Sequence, residues 1–191
     1  MSNGVVYFEK IDTKELAGLI FQTFKNDGIE AILVGGSCVT IYSNNRYMSA
    51  DLDYVTYAEM KKVEASLRKI GFVKRGKYFE HPKCQFYIDF VSEPVAIGEE
   101  IISKFEEMPT KYGTFKLLTV TDCVRDRLAS FYYWNDRQGF NQAVDVCLER
   151  KIDMKKIRAW SKKEGFEEKF LIFEKELKLR NQQSLFAGVN Q

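Results

Sequence analysis

The sequence holds a single histidine, His81, in 191 residues. Any triad or histidine-based zinc site would have to use it, yet it stands before a proline in the turn-like stretch "FEHPKC", where a structural or exposed role is expected. The four cysteines, Cys38, Cys84, Cys123 and Cys147, lie far apart. No zinc-ribbon or CxxC spacing exists among them, which leaves free thiols in a reducing cytoplasm as the expectation. No apolar run approaches the roughly 20 residues of a membrane span. The first ten residues lack a basic segment followed by an apolar one, so no signal peptide is expected. Internal repeats, low-complexity tracts and Pro/Gly/Ser-rich linkers are also missing.

What is present suits a soluble core-forming chain: 45% hydrophobic and 29% charged residues. The 29 basic and 27 acidic residues leave a net charge of +2, which neither requires nor excludes a nucleic-acid partner. Residues 12–25 carry Leu16, Leu19, Ile20 and Phe24 at helical spacing, with Asp12 or Thr13 as cap and Gly28 beyond the end. "EAILVGG" reads as a buried strand, "SCVTIYSNN" as a two-turn helix that starts where the glycines stop, and "SADLDYVTY" as the next strand. An amphipathic helix follows, with Met60, Val63, Leu67 and Ile70 on one face and Gly71 as its stop. "FVKRGKYFE" and "CQFYIDFVS" read as two strands around a turn at His81–Pro82. "EMPTKYGTFKLLTV" reads as extended chain around a turn at Gly113. Four helical segments fill the rest, and residues 182–191 are expected to fray. The expected architecture is α/β (α+β), a mixed sheet flanked by helices in residues 1–118, followed by a helical domain in residues 119–191 that packs against it.

One stretch carries chemistry. In "ILVGGSCVTIYSNNRYMSADLDYV", Asp51 and Asp53 are two apart on a strand and so share a face, about 6.6 Å apart along the chain. Two carboxylates that close raise each other's pKa, a conflict that a divalent cation removes. Magnesium suits the hard oxygen ligands. Asp89, in the apolar strand "CQFYIDFVS", needs a partner of its own. If its strand lies beside the first, three carboxylates converge, enough for two metal ions on the attacking and leaving oxygens of a phosphoryl displacement. Gly35 and Gly36 permit a tight turn and a close ligand, and Ser37 opens a helix whose N-terminus favours an anion.

Gly-Gly-Ser, thirteen residues, then Asp-Leu-Asp, with a later strand aspartate, resembles the DNA-polymerase-β-like nucleotidyltransferase superfamily. It is most similar there to the minimal bacterial enzymes of abortive-infection and toxin–antitoxin type. "TDCVRDRLASFYYWNDRQGFNQAV" resembles the helical segment that follows the catalytic sheet in such proteins. The resemblance implies transfer of NMP from an NTP, ATP among them, to a hydroxyl on RNA, protein or a small molecule, with Mg2+ as cofactor and a cognate antitoxin as partner. Asp51 and Asp53 would hold both metals. Asp89 would bind the catalytic metal and help deprotonate the acceptor. Gly35, Gly36 and Ser37 would hold phosphates. Many toxin-type members carry a basic residue just after the serine, where Cys38, Val39 and Thr40 stand here; Arg46 is the candidate to replace it, and Lys77 and Lys116 are candidates for the later family lysine. The alternative is a silent nucleotide- or partner-binding protein of the same fold.

Three further features have plainer readings. "GFVKRGKY" nearly spells a P-loop, but Tyr78 stands where Ser or Thr is needed and Gly71 follows a helix. The basic run 151–163, with Lys155, Arg158 and Lys162 on one face, reads first as a solvated helix surface and second as an RNA contact. Of the aromatics Phe131 to Trp134, most belong to the core, with Tyr132 or Tyr133 available to line a nucleotide pocket.

Overall fold

The computed structural model describes residues 6–188, with side chains through residue 183. A seven-stranded mixed sheet carries the order β3-β4-β5-β2-β1-β9-β8. Its strands are β1 (Ile32–Val34), β2 (Asp51–Val55), β3 (Val73–Arg75), β4 (Tyr78–Glu80), β5 (Tyr87–Phe90), β8 (Phe105–Thr110) and β9 (Gly113–Leu118). Two pairings are parallel, β2 with β5 and β1 with β9; the rest are antiparallel. A separate hairpin joins β6 (Ala96–Ile97) to β7 (Glu100–Ile101).

Helix α1 (Thr13–Asn26) starts where the Asp12 carboxylate accepts from the Glu15 N–H at 2.7 Å. It buries Leu16, Ile20 and Phe24, one residue per turn. Helix α3 (Met60–Arg68) buries Val63 and Leu67 but leaves Met60 exposed. The C-terminal part is α4 (Val120–Trp134), α5 (Arg137–Glu149), α6 (Met154–Lys163) and α7 (Glu167–Gly188). Thr119 caps α4 by accepting from the Asp122 N–H. The sheet and these helices share one hydrophobic core, from Leu16 and Leu52 to Phe140 and Phe173.

Three local expectations change. Helix α2 (Gly35–Tyr42) begins at the first glycine, so both glycines form its opening turn instead of preceding it. "FVKRGKYFE" is a complete hairpin, turning at Gly76–Lys77 with Arg75 opposite Tyr78. That turn also removes the P-loop reading, because no helix follows the lysine. Residues 182–188 continue α7, while 189–191 lie outside the described residues. His81 packs its ring 3.9 Å from that of Phe8 and accepts from the Lys83 N–H, a structural role. In the basic run, Arg158 pairs with Glu174 and Lys156 with Asp122, while Ile157 and Trp160 are buried.

Candidate active site

Strand β2 alternates as its sequence requires. Leu52 and Tyr54 are fully buried on one face, and Asp51 and Asp53 are half-buried on the other. Strand β5 runs parallel to it, with Asp53 opposite Asp89 and Leu52 opposite Ile88. Residues opposite one another in adjacent strands share a face. The three acidic residues therefore stand on one face of two neighbouring strands.

The Gly-Gly-Ser triplet is moulded onto these acids. A Cβ on Gly35, whose φ is +67°, would sit 2.3 Å from Asp53 Oδ2. One on Gly36 would sit 2.8 Å from Ser49 Oγ, and that hydroxyl donates to Asp51 Oδ1 at 2.7 Å. The Ser37 hydroxyl is buried and donates to the main-chain carbonyl of Asp51. The glycines thus let the carboxylates approach the opening turn of α2, and the serine ties that turn to β2. Val34, which precedes the helix, supplies no capping side chain to its first N–H groups.

Burial, then the charges of Asp51 and Asp89, push the Asp53 carboxyl up to about 6. An unmet negative field at an all-oxygen donor set is what a hard divalent cation neutralises, so the residues fit magnesium in kind. Among the described residues, no three carboxylate, cysteine or histidine groups already stand in a metal-holding cluster. Asp89 is engaged elsewhere. Its Oδ2 meets Lys77 Nζ at 3.0 Å, and its Oδ1 accepts from the Phe90 N–H. Lys77 thus occupies one of the two Asp89 oxygens.

Arg46 is not brought to the acids. Its guanidinium takes Glu149 Oε1 at 2.6 Å, beside Asn44 on the other oxygen. The cation that acts on Asp53 is Arg127 of α4, which pairs with Asp126 and Gln142. Asp126 and Arg127 lie inside the helical stretch that resembles the family's, but that likeness assigns neither a role, and the tertiary packing of α4 brings them near the acids. Ser49 had a signal, its position two residues before Asp51 on the same face. Lys116 stays on β9, opposite Glu107.

The chain matches no protein-family model and no curated protein sequence. Two solved structures share its fold. An antigenic nucleotidyltransferase-like protein from Paracoccidioides brasiliensis aligns over 71% of this chain and 74% of its own, at 14% identity and a TM-score of 0.52. ANT(2'')-Ia, solved in complex with adenylyl-2''-tobramycin, aligns over 86% of this chain and 96% of its own, at 12% identity and a TM-score of 0.51. The common ground is the nucleotidyltransferase fold.

Proposed function

We propose that this chain is a metal-dependent nucleotidyltransferase that moves NMP from an NTP to a hydroxyl acceptor. The observation that carries the reading is the in-register pairing of Asp53 with Asp89, with Asp51 on the same face of β2. In this reaction the acceptor oxygen bonds to the α-phosphorus as the bond to the β-phosphate oxygen breaks. That bonding pair leaves with pyrophosphate, and the acceptor proton passes toward Asp89. Asp51, Asp53 and Asp89 would hold Mg2+, which supplies charge neutralisation at the phosphates when bound. The uncapped first turn of α2, at Gly35, Gly36 and Ser37, would offer N–H groups to the phosphates. Arg46, held by Glu149, has no part in this assignment. Residues 1–118 would form the catalytic unit, and 119–191 a helical unit that lends Asp126 and Arg127 to its edge.

The adenylylated tobramycin bound by ANT(2'')-Ia is a small-molecule product. Likeness to that structure over most of both chains supports a small-molecule acceptor. The toxin-type version, with an RNA or protein acceptor and a cognate antitoxin, rests on the motif resemblance, and the cytoplasmic setting on the four widely spaced cysteines read as free thiols. Among the described residues no helix is long and apolar enough to cross a membrane. The silent-binder alternative draws on the Lys77–Asp89 pair, which satisfies Asp89 without any metal.

The test is pyrophosphate release and label transfer from each α-labelled NTP, with Mg2+ or with EDTA. The wild type should turn over one NTP only with metal, and Asp51→Asn should lose at least about a hundredfold, as for other charge-stabilising groups. Wild-type silence with every NTP, alongside retained nucleotide binding, would establish the silent reading. A second outcome concerns Lys77→Met. If its ammonium competes for Asp89, this variant should bind Mn2+ about threefold to fivefold more tightly in a nucleotide-free titration, and the gain should shrink in high salt. Unchanged affinity would mean that Lys77 does not compete.

A further inference from the structure

A cavity of about 450 Å3 opens at the end of α2 remote from the acids, within the range of small-molecule sites. The glycines that meet Asp53 and Ser49 form the first turn of α2, whereas Thr40, Ile41 and Tyr42 of its last turn line the cavity. The helix between them is about 12 Å long. The other walls are the opening of α1 at Asp12, Thr13 and Lys14, the edge strand β8 at Glu106 and Met108, and the end of α5 at Arg150 and Lys151.

Three cations line this space, Lys14, Arg150 and Lys151, and none of them forms an ion pair among the described residues. The neighbouring carboxylates Glu15 and Glu149 are held by Lys111 and Arg46. Arg150 donates through Nε to the Tyr42 carbonyl at 3.0 Å and through Nη2 to Asn44 Oδ1 at 3.1 Å, which fixes the guanidinium and leaves Nη1 unused. The opening turn of α1 adds to the field. Its Asp12 carboxylate takes the Glu15 N–H, and the N–H groups of Thr13 and Lys14 have no acceptor among the described residues. Thr13 is 3% exposed, yet its hydroxyl has no hydrogen-bond partner. A polar atom so buried and unmet is rare and marks a place for a bound group.

The lining also sets the class of that group. Unpaired cations with a fixed guanidinium suit a phosphate. Asp12 and Glu106 require that the rest of the ligand bring hydrogen-bond donors and no further negative charge. Each already accepts one hydrogen bond, Asp12 from the Glu15 N–H and Glu106 from the Tyr42 hydroxyl at 3.0 Å, and each keeps a second oxygen for a ligand hydroxyl. A nucleobase finds no stacking surface, because the one aromatic residue of the lining, Tyr42, is 2% exposed.

We propose that this cavity is a second ligand site, apart from the acids, and that it binds a sugar monophosphate. It needs neither NTP nor metal, so it stands or falls independently of nucleotidyl transfer.

The test is a calorimetric titration of the full chain in EDTA with glucose 6-phosphate, glucose, inorganic phosphate and AMP. Glucose 6-phosphate should bind at least about tenfold more tightly than each of the other three, and weaken with rising salt. Lys14→Gln, Lys151→Gln and Thr13→Val should each cost about threefold or more in affinity. None of them should lower the melting temperature, because each removes a group that has no partner in the empty cavity. Asp51→Asn, on the acid face, should leave the affinity unchanged. Equal binding of glucose 6-phosphate and glucose would remove the phosphate subsite, and inorganic phosphate or AMP binding as tightly as glucose 6-phosphate would remove the sugar subsite; either overturns the proposal. Binding that all three cavity variants leave intact, or that Asp51→Asn alters, would place the ligand elsewhere and overturn it as well.

Discussion

Replacing Asp53 with asparagine is expected to abolish nucleotidyl transfer and, at the same time, to raise the melting temperature of the metal-free protein. Both effects have one origin. The carboxyl is half-buried beside Asp51 and Asp89, and it is pushed from 3.8 up to about 6. A shift of that size corresponds to roughly 3 kcal/mol between the protonation states. Because the group still touches solvent, about 2 kcal/mol is the fairer figure. The shift is upward, so this carboxyl favours the fold where it is protonated, below about pH 4, and the contribution is lost as pH rises through about 6. Asparagine carries no charge at any pH. The variant should therefore match the wild type near pH 4 and exceed it at pH 7.5, by roughly 4–8 °C for a chain of this size. Millimolar Mg2+ should narrow the gap by stabilising the ionised wild type alone. Thermal melts in EDTA across pH decide the matter. An asparagine variant that is no more stable at neutral pH would remove the electrostatic strain on which the metal argument depends.

The second large effect is expected at Arg125, a fully buried side chain. It donates to Asp122 and to Glu100, both at 2.7 Å, and its guanidinium stacks 5.0 Å from the Trp160 ring. Arg125→Met keeps much of the volume and removes the charge. Breaking one side of a buried pair costs about 3–5 kcal/mol. The lower end applies, since Asp122 keeps Lys156 at 2.8 Å and Thr119 at 2.7 Å, and Glu100 reaches solvent. The melting temperature should fall by roughly 6–12 °C. Hydrogen exchange should accelerate first at Ile102, whose N–H donates to the Val95 carbonyl across the base of the β6–β7 hairpin. Loss of stability below about 1 kcal/mol, with the Ile102 amide unchanged, would show that the hairpin is held by other contacts.

The contrast between these two sites explains what the sequence could reveal. The Asp51–Asp53 pair was legible because strand periodicity alone puts both on one face, and the glycine triplet precedes it at short range. Asp89 needed one further assumption, that its strand lies next to β2, and the parallel register supplies it. The opening of α2 was misread by two residues because glycine is a weak helix former, and only contact with Asp53 and Ser49 accounts for a glycine-led first turn. The β3–β4 hairpin hid inside one apparent strand because Gly76 is its only strong turn signal. Arg46 was chosen for its nearness in sequence and lost to Glu149, from the far end of α5. The β6–β7 hairpin had no local signature, and the Asp126–Arg127 pair, though inside the family-like helical stretch, acquires meaning only when α4 docks beside the sheet.

The parallel register of β2 and β5 has one more consequence. The separation of Asp53 from Asp89 is dictated by main-chain hydrogen bonds, which leave the surrounding side chains free to vary. A single residue inserted between Cys84 and Tyr87 would rotate position 89 to the far side of the sheet and put an aliphatic group in its place. Natural variation at this locus should accordingly tolerate many substitutions in the loop before β5, yet almost no change in its length.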